Sequence, residues 1–498
     1  MRVEYKKGSL MKGAMPLALL HKQFSVLILL VLHSFNILIA LIMLLEKSWA
    51  FDYRAWFFLY SAFVFSYSLV RKLDNLLFAT RTLFIGAIGY YPMLIKVLDP
   101  EGFFSLFEQS TQGWEVVVTI YVSTSMALFG SEIGLLVGGF GNSKRISDKV
   151  MIDDLSYKTL FYCSFALVVF VAYLTAVSAG PSLFVATYAS EPEGQLLGNL
   201  QAMGIIGVLA MLLAANRVSI KFAKLLMLLS VSYFLVWAMF FHGLRQDVLT
   251  ALLGMYVVHS ISRNKPPRID IRVATILVVL VLVFELWGTM RASLATDGFD
   301  PVGAVEHMSG HFGDHVYQIS TLSSIGTTVA NTVYLVQNGQ VDFLYGRTFL
   351  EYIPRTPPEF IYPDRPVDYA WMFQEYGLVA VGGFHELAEA YLNFGVAGAF
   401  IVPLILSFLI SKAYWGACVH QTIWRYFLLF SFVGIWMRGT WYQIFAFYKT
   451  FITVVILFGC FWVIVSLVKF LGSQKVRQPS LEMKSANTTS SDRAVRHI

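Results

Sequence analysis

Apolar residues recur in long runs along almost the whole chain, separated by short polar turns. A helix needs about 20 mostly apolar residues to cross the hydrocarbon of a bilayer. The runs predict twelve spans, at residues 24–45, 55–70, 82–98, 115–138, 159–179, 197–215, 225–241, 247–262, 273–289, 391–411, 425–437 and 449–469. Two regions depart from the pattern. Residues 290–390 form one long connection with its own Gly, Pro and aromatic content, too long for a mere linker. Residues 470–498 are polar and low in aromatics, which predicts a disordered tail. The expectation is therefore an all-α polytopic membrane protein, one bundle rather than several soluble domains.

Lys and Arg collect in alternate turns. RKLDNLLFATR, GNSKRISDKVMIDDLSYK, NRVSIKFAK and SRNKPPRIDIR are basic, as are residues 1–23 and the tail, whereas DPEGFFSLFEQSTQGW and AGPSLFVATYASEPEGQ carry neither Lys nor Arg. By the positive-inside rule both ends are cytoplasmic and the 290–390 connection is on the outer side.

Composition agrees. The chain is 57% hydrophobic and 14% charged with a mean hydropathy of +0.64, against roughly 25% charged in an ordinary soluble domain. The net charge of +6 follows topology and anionic lipid at the cytoplasmic face rather than nucleic acid. The N-terminal apolar run is too long for a signal-peptide core. Cys163, Cys418 and Cys460 lie in apolar runs without metal-ligand or redox spacing.

Candidate chemistry gathers on the predicted outer side. Arg245, Arg291 and Arg438 stand at outer ends of spans, and Arg347, Arg355 and Arg365 lie in the long connection. Guanidinium forks suit phosphate oxygens, so this set is a candidate diphosphate site. Interfacial snorkelling or helix capping is the competing reading for each. In HELAEAYLNFG, Glu386 and Glu389 are three apart and His385 and Glu389 four apart, so one helix face can present Glu389 with either partner at the bilayer mouth. Tyr391 is a candidate for sugar stacking, with Asn393, Gly395 and Gly398 read as packing. His307, His311 and His315 recur at spacing four beside Asp314, and His311 and His315 are candidates to line a glycan groove rather than hold a metal. Glu132 and Glu285 fall inside spans, where an acid is functional by default or pairs with a neighbouring helix.

Two segments, YGRTFLEYIPRTPPEFIYPDRP and GGFHELAEAYLNFGVAGAF, resemble the Wzy-type O-antigen or oligosaccharide repeat-unit polymerases. The features are Gly346 with Thr348, the Ile353–Arg355 step, Arg365 with Pro366 where Lys is usual, and Glu389 to Gly395 with Gly398. Arg245 and the Arg438–Gly439 pair also resemble the family. The resemblance implies a C-type membrane fold in the bacterial inner membrane that works without nucleotide sugar, metal or other cofactor. It implies transfer of a growing glycan from undecaprenyl diphosphate to a lipid-linked repeat unit, with a flippase and a chain-length regulator as pathway partners.

Such transfer needs a base for the acceptor hydroxyl and a cationic clamp for the departing diphosphate. Glu389 is the first choice for base, followed by Glu386 and His385. An O-antigen ligase would share lipid donor and topology but differ in acceptor. A transporter of saccharide or lipid-linked sugar would place charges along the middle of its spans and show repeat symmetry.

Overall fold

The computed structural model of the protein describes residues 15–45, 51–98, 114–139, 153–179, 192–236, 245–280, 282–283, 302–303, 306, 320–355, 371–378, 384–438 and 444–491. Among these every regular element is helical and no strand occurs. In chain order they are α1 (Met15–Leu45), α2 (Phe51–Val70), α3 (Leu76–Leu98), α4 (Trp114–Gly139), α5 (Asp154–Ala179), α6 (Pro192–Arg217), α7 (Ala223–Val236) and α8 (Arg245–Ser262). They continue as α9 (Ile271–Leu280), α10 (Ser320–Gln337), α11 (Arg347–Arg355), α12 (Trp371–Glu375), α13 (Glu386–His420), α14 (Ile423–Arg438) and α15 (Ile444–Ser491). Between their ends, helices satisfy backbone N–H and C=O groups internally, the requirement that hydrocarbon imposes.

Five segments among the described residues are long and apolar enough to cross a membrane: Val26–Met43, Glu115–Gly139, Asp154–Thr175, Glu386–His420 and Thr450–Leu471. Among the described residues the chain is all-helical, with five helices whose length and apolar composition suit a membrane span. Helix boundaries depart from the sequence reading in informative places. α3 starts at Leu76 because Asn75 caps it, its side-chain oxygen accepting the Leu77 N–H at 3.1 Å and its carbonyl accepting those of Phe78 and Ala79. Arg81, expected in an inside turn, is thereby a helical residue. The polar tail expected to be disordered is helical as far as Ser491. It continues an established helix, which is far easier than nucleating one.

The described helices divide into two compact units. The first comprises residues 1–146, 264–420 and 432–449. α4 is its centre, buried along most of its length and flanked by α1, α3, α10 and α13. Gly130, Gly134 and Gly138 lie against the backbone of α13 at Phe400, Leu404 and Phe408, where a Cβ would strike a carbonyl oxygen. Small residues let the two helices approach this closely. α10, inside the expected outer connection, is packed against α3, α4 and α13, with Val329, Ala330, Val333 and Leu335 fully buried.

At one end of this unit the turn between α2 and α3 pairs with the chain before α9. Leu76 N–H donates to the Pro267 carbonyl and Ile269 N–H to that of Leu73, both at 2.7 Å. These are two of the basic turns assigned to the same face by charge.

The second unit comprises residues 147–263, 421–431 and 450–498. Here α5 packs along α6, with α7 against both and α8 against α6. Arg217 ends α6 by donating to Gln421 Oε1 at 2.7 Å and to the Tyr426 hydroxyl at 3.0 Å.

Candidate functional site

The apolar run that begins at Leu387 is not one straight helix. Phe394 (φ −141°, ψ 17°) and Gly395 (φ 60°, ψ −146°) interrupt α13. In an unbroken helix residues 386 and 407 would be about 31 Å apart. Yet Arg81 bonds both, its Nη1 to Glu386 Oε2 at 2.6 Å and its Nε to Ser407 Oγ at 3.3 Å. Gly398 meets the carbonyl of Ala390, so the chain reverses at Gly395 and the two limbs lie side by side. The predicted span 391–411 therefore begins beyond the reversal. Residues 386–393 form a short half-helix that starts deep within the first unit rather than at its surface.

His385, Glu386 and Glu389, expected at the bilayer mouth, are 1%, 3% and 0% exposed. Arg81, 2% exposed, holds Glu386 through both terminal guanidinium nitrogens, a two-point fork that suits a buried carboxylate. Ser407, which accepts from Arg81, is 2.8 Å from the hydroxyl of Ser131 on α4. His385 caps the half-helix: its Nδ1 accepts the Leu387 N–H at 3.0 Å, and its carbonyl accepts the Glu389 N–H at 2.8 Å. With Nδ1 accepting, a neutral ring carries its proton on Nε2. That buried nitrogen has no hydrogen-bond partner among the described residues.

Glu389 has a different set of neighbours. Its Oε1 accepts the hydroxyl proton of Thr348 at 2.8 Å. Asn393 Nδ2 donates to Thr348 Oγ1 and to the Glu389 carbonyl, each at 2.8 Å, and Asn393 Oδ1 accepts the Gly346 N–H at 2.9 Å. Leu344 and Tyr345 N–H groups bond the carbonyls of Leu392 and Asn393, both at 3.0 Å. These carbonyls end the half-helix and lack an intrahelical donor. Gly346 adopts φ 89°, a conformation that favours glycine, and lies against the Phe394 ring. The Gly346/Thr348 and Glu389–Gly395 segments, more than forty positions apart, thus form one hydrogen-bonded unit.

Tyr448, near the start of α15, feels the Glu389 charge; burial first and that charge second push its phenol above the usual range. Tyr391 is 5% exposed and meets Phe343 edge to face, with ring centres 6.1 Å apart. It packs, and presents little face to a sugar in this arrangement.

The expected arginine set is placed only in part. Arg347 is exposed and paired with Glu351 on its own helix. Arg245 opens α8, while Arg355 and Arg438 close α11 and α14, their side chains lying outside what is described. Arg291, Arg365, His307, His311, Asp314, His315 and Glu285 lie outside the described residues. Among the described residues no group of three or more His, Cys, Asp or Glu is arranged to hold a metal ion.

A second polar centre occupies the same unit. Glu132 pairs with Lys72 and accepts from Ser68, and Lys72 also bonds Ser68 Oγ at 2.8 Å. Farther along α4, Asn36 donates to Ser125 at 3.1 Å and accepts from Ser61 at 2.6 Å and from Tyr121 at 3.1 Å. His33, fully buried, stacks on Phe129 with ring centres 6.0 Å apart.

The missed residues are Arg81 and Lys72, read as topology charges, and Asn393, read as packing. Their signal was faint: each is one polar residue beside a basic turn or within an apolar run. No family model matches the chain, and no curated protein or solved structure does either.

Proposed function

We propose that the protein is a glycosyltransferase that polymerises lipid-linked oligosaccharide repeat units at the outer face of the bacterial inner membrane. The growing glycan leaves undecaprenyl diphosphate and joins the non-reducing end of an incoming undecaprenyl-diphosphate repeat unit. The observation that carries this reading is the union of Glu389 and Asn393 with Gly346 and Thr348, the two segments in which the polymerase resemblance resides.

Glu389 is the general base in this reading. Arg81 positions Glu386, and His385 caps the half-helix that carries both acids. Arg245, Arg291, Arg347, Arg355, Arg365 and Arg438 are the candidates to clamp the departing diphosphate, and His311 and His315 to line the glycan groove. A membrane topology of twelve spans with both termini cytoplasmic, a C-type fold and a periplasmic 290–390 region belong to the same proposal. The pairing of Leu73 with Ile269, which brings two basic turns together, supports that topology. Energy enters with the polyprenyl-diphosphate donor, so no nucleotide sugar is needed. A flippase and a chain-length regulator are the pathway partners the reading implies.

A second reading is a saccharide or lipid-linked sugar transporter. It is favoured by the burial of the Arg81–Glu386 pair and of Glu132 within the helical core, because ionisable groups there mark transport paths by default.

Deleting the gene in the native host separates the two. A polymerase deletion leaves surface glycan one repeat unit long, restored to long chains by wild-type protein and not by Glu389→Gln. Loss of all surface glycan, single units included, would favour transport.

A further inference from the structure

We propose that Glu389 and Asn393 form the seat of the acceptor's nucleophilic sugar hydroxyl, and that the Thr348 hydroxyl occupies this seat until the strap at 343–348 is displaced. This rests on the glycosyltransferase reading. A base must lie about 2.6–3.2 Å from the oxygen it deprotonates. One hydroxyl already has that relation to Glu389: Thr348 donates to the carboxylate at 2.8 Å while accepting from the Asn393 amide at 2.8 Å. The arrangement holds an alcohol by a donor on one side and orients its proton at a base on the other. An acceptor hydroxyl needs the same two contacts.

Thr348 and Glu389 are both fully buried, so no sugar reaches the carboxylate while the strap is seated. The strap is thin, with Tyr345 79% exposed next to buried Gly346, and exposed Arg347 next to Thr348. Tyr345 and Gly346 are both in the left-handed region, at φ 50° and 89°. Such a conformation in a non-glycine residue is strained and persists only where its surroundings enforce it. Here three backbone N–H groups, from Leu344, Tyr345 and Gly346, hold it to the end of the half-helix. One turn before Glu389, His385 Nε2–H is a buried donor without a hydrogen-bond partner among the described residues.

With the strap displaced, the acceptor hydroxyl transfers its proton to Glu389 as its oxygen bonds the anomeric carbon. The bond from that carbon to the diphosphate oxygen breaks, and its electron pair leaves with undecaprenyl diphosphate. The proton on Glu389 then passes to solvent or the released diphosphate.

The test uses purified full-length protein and a single-repeat undecaprenyl-diphosphate unit, with folding of each variant checked by size exclusion. Thr348→Val removes the competing hydroxyl at nearly constant volume, and the apparent KM for the repeat unit falls several-fold with kcat retained. Thr348→Ser keeps a hydroxyl in the seat and shows no such fall. A folded Thr348→Val that loses kcat as Glu389→Gln does would overturn the proposal, making Thr348 a positioning residue for the base. In a second measurement, Thr348→Cys in a background freed of Cys163, Cys418 and Cys460 reacts with maleimide faster when the repeat unit is added. Unchanged reactivity in protein that still elongates glycan would also overturn it. A wild-type protein that makes no ladder would instead defeat the underlying glycosyltransferase reading.

Discussion

Arg81 of α3 closes a two-point fork on the carboxylate of Glu386, 305 positions later in the chain, and both side chains are buried. The pair ties the N-terminal helices of the first unit to the start of the half-helix that carries Glu389. Attraction in a low-dielectric core is offset by the cost of removing both charges from water. The pair therefore specifies the placement of the half-helix more than it adds net stability.

Removing one partner leaves the other charged and buried. Arg81→Ala is expected to lower stability by about 3–5 kcal/mol, and Arg81→Gln combined with Glu386→Gln to recover much of that loss. Unfolding midpoints in detergent for both singles and the double check this. Additive effects would mean that the residues do not act as a pair.

Gly395 reverses the chain at φ 60° and ψ −146°, with the Phe343 ring 3.3 Å from where a Cβ would stand. Gly395→Ala should cost about 1–3 kcal/mol, the range for a residue forced into a glycine-only conformation. The half-helix that carries Glu389 and Asn393 would also shift, so activity should fall more than stability. Protein that keeps full activity would show that the reversal is not needed at the site.

Lys72 and Glu132 join the turn after α2 to α4. Lys72→Met and Glu132→Leu should each destabilise the fold, and the exchanged pair Lys72→Glu with Glu132→Lys should be more stable than either Lys72→Glu or Glu132→Lys alone. Melting curves for the set decide it. An exchanged pair no better than the singles would remove the pairing from the account.

Asp74 and Arg268 face one another at 3.3 Å where the α2–α3 turn meets the chain before α9, both well exposed. Asp74→Cys and Arg268→Cys, placed singly in a cysteine-free background, should react with a membrane-impermeant maleimide only after the inner membrane is opened. Labelling in intact spheroplasts would invert the topology.

Much of the helical layout was legible because an apolar run long enough for a bilayer leaves the backbone little choice but helix. The reversal at Gly395 was not, since apolar residues continue on both sides of it and only one backbone conformation breaks the run. α10 was hidden for the opposite reason: STLSSIGTTVANTVYLVQ looks polar. Thr332 nevertheless bonds back to the Thr328 carbonyl at 2.7 Å, so a hydroxyl can be buried without a partner elsewhere. At the site, Glu389, Gly346 and Thr348 stood out as motif residues, whereas their contact did not. Arg81 was counted with the basic turn at Arg71 and Lys72, and nothing local announces a partner as distant as Glu386.

The most direct measurement incubates purified protein with a single undecaprenyl-diphosphate repeat unit from the native host and separates the glycan products by size. Wild-type protein is predicted to give a ladder of repeat units, and folded Glu389→Gln to give none. Absence of a ladder from wild-type protein with authentic substrate, or a full ladder from Glu389→Gln, would contradict the account.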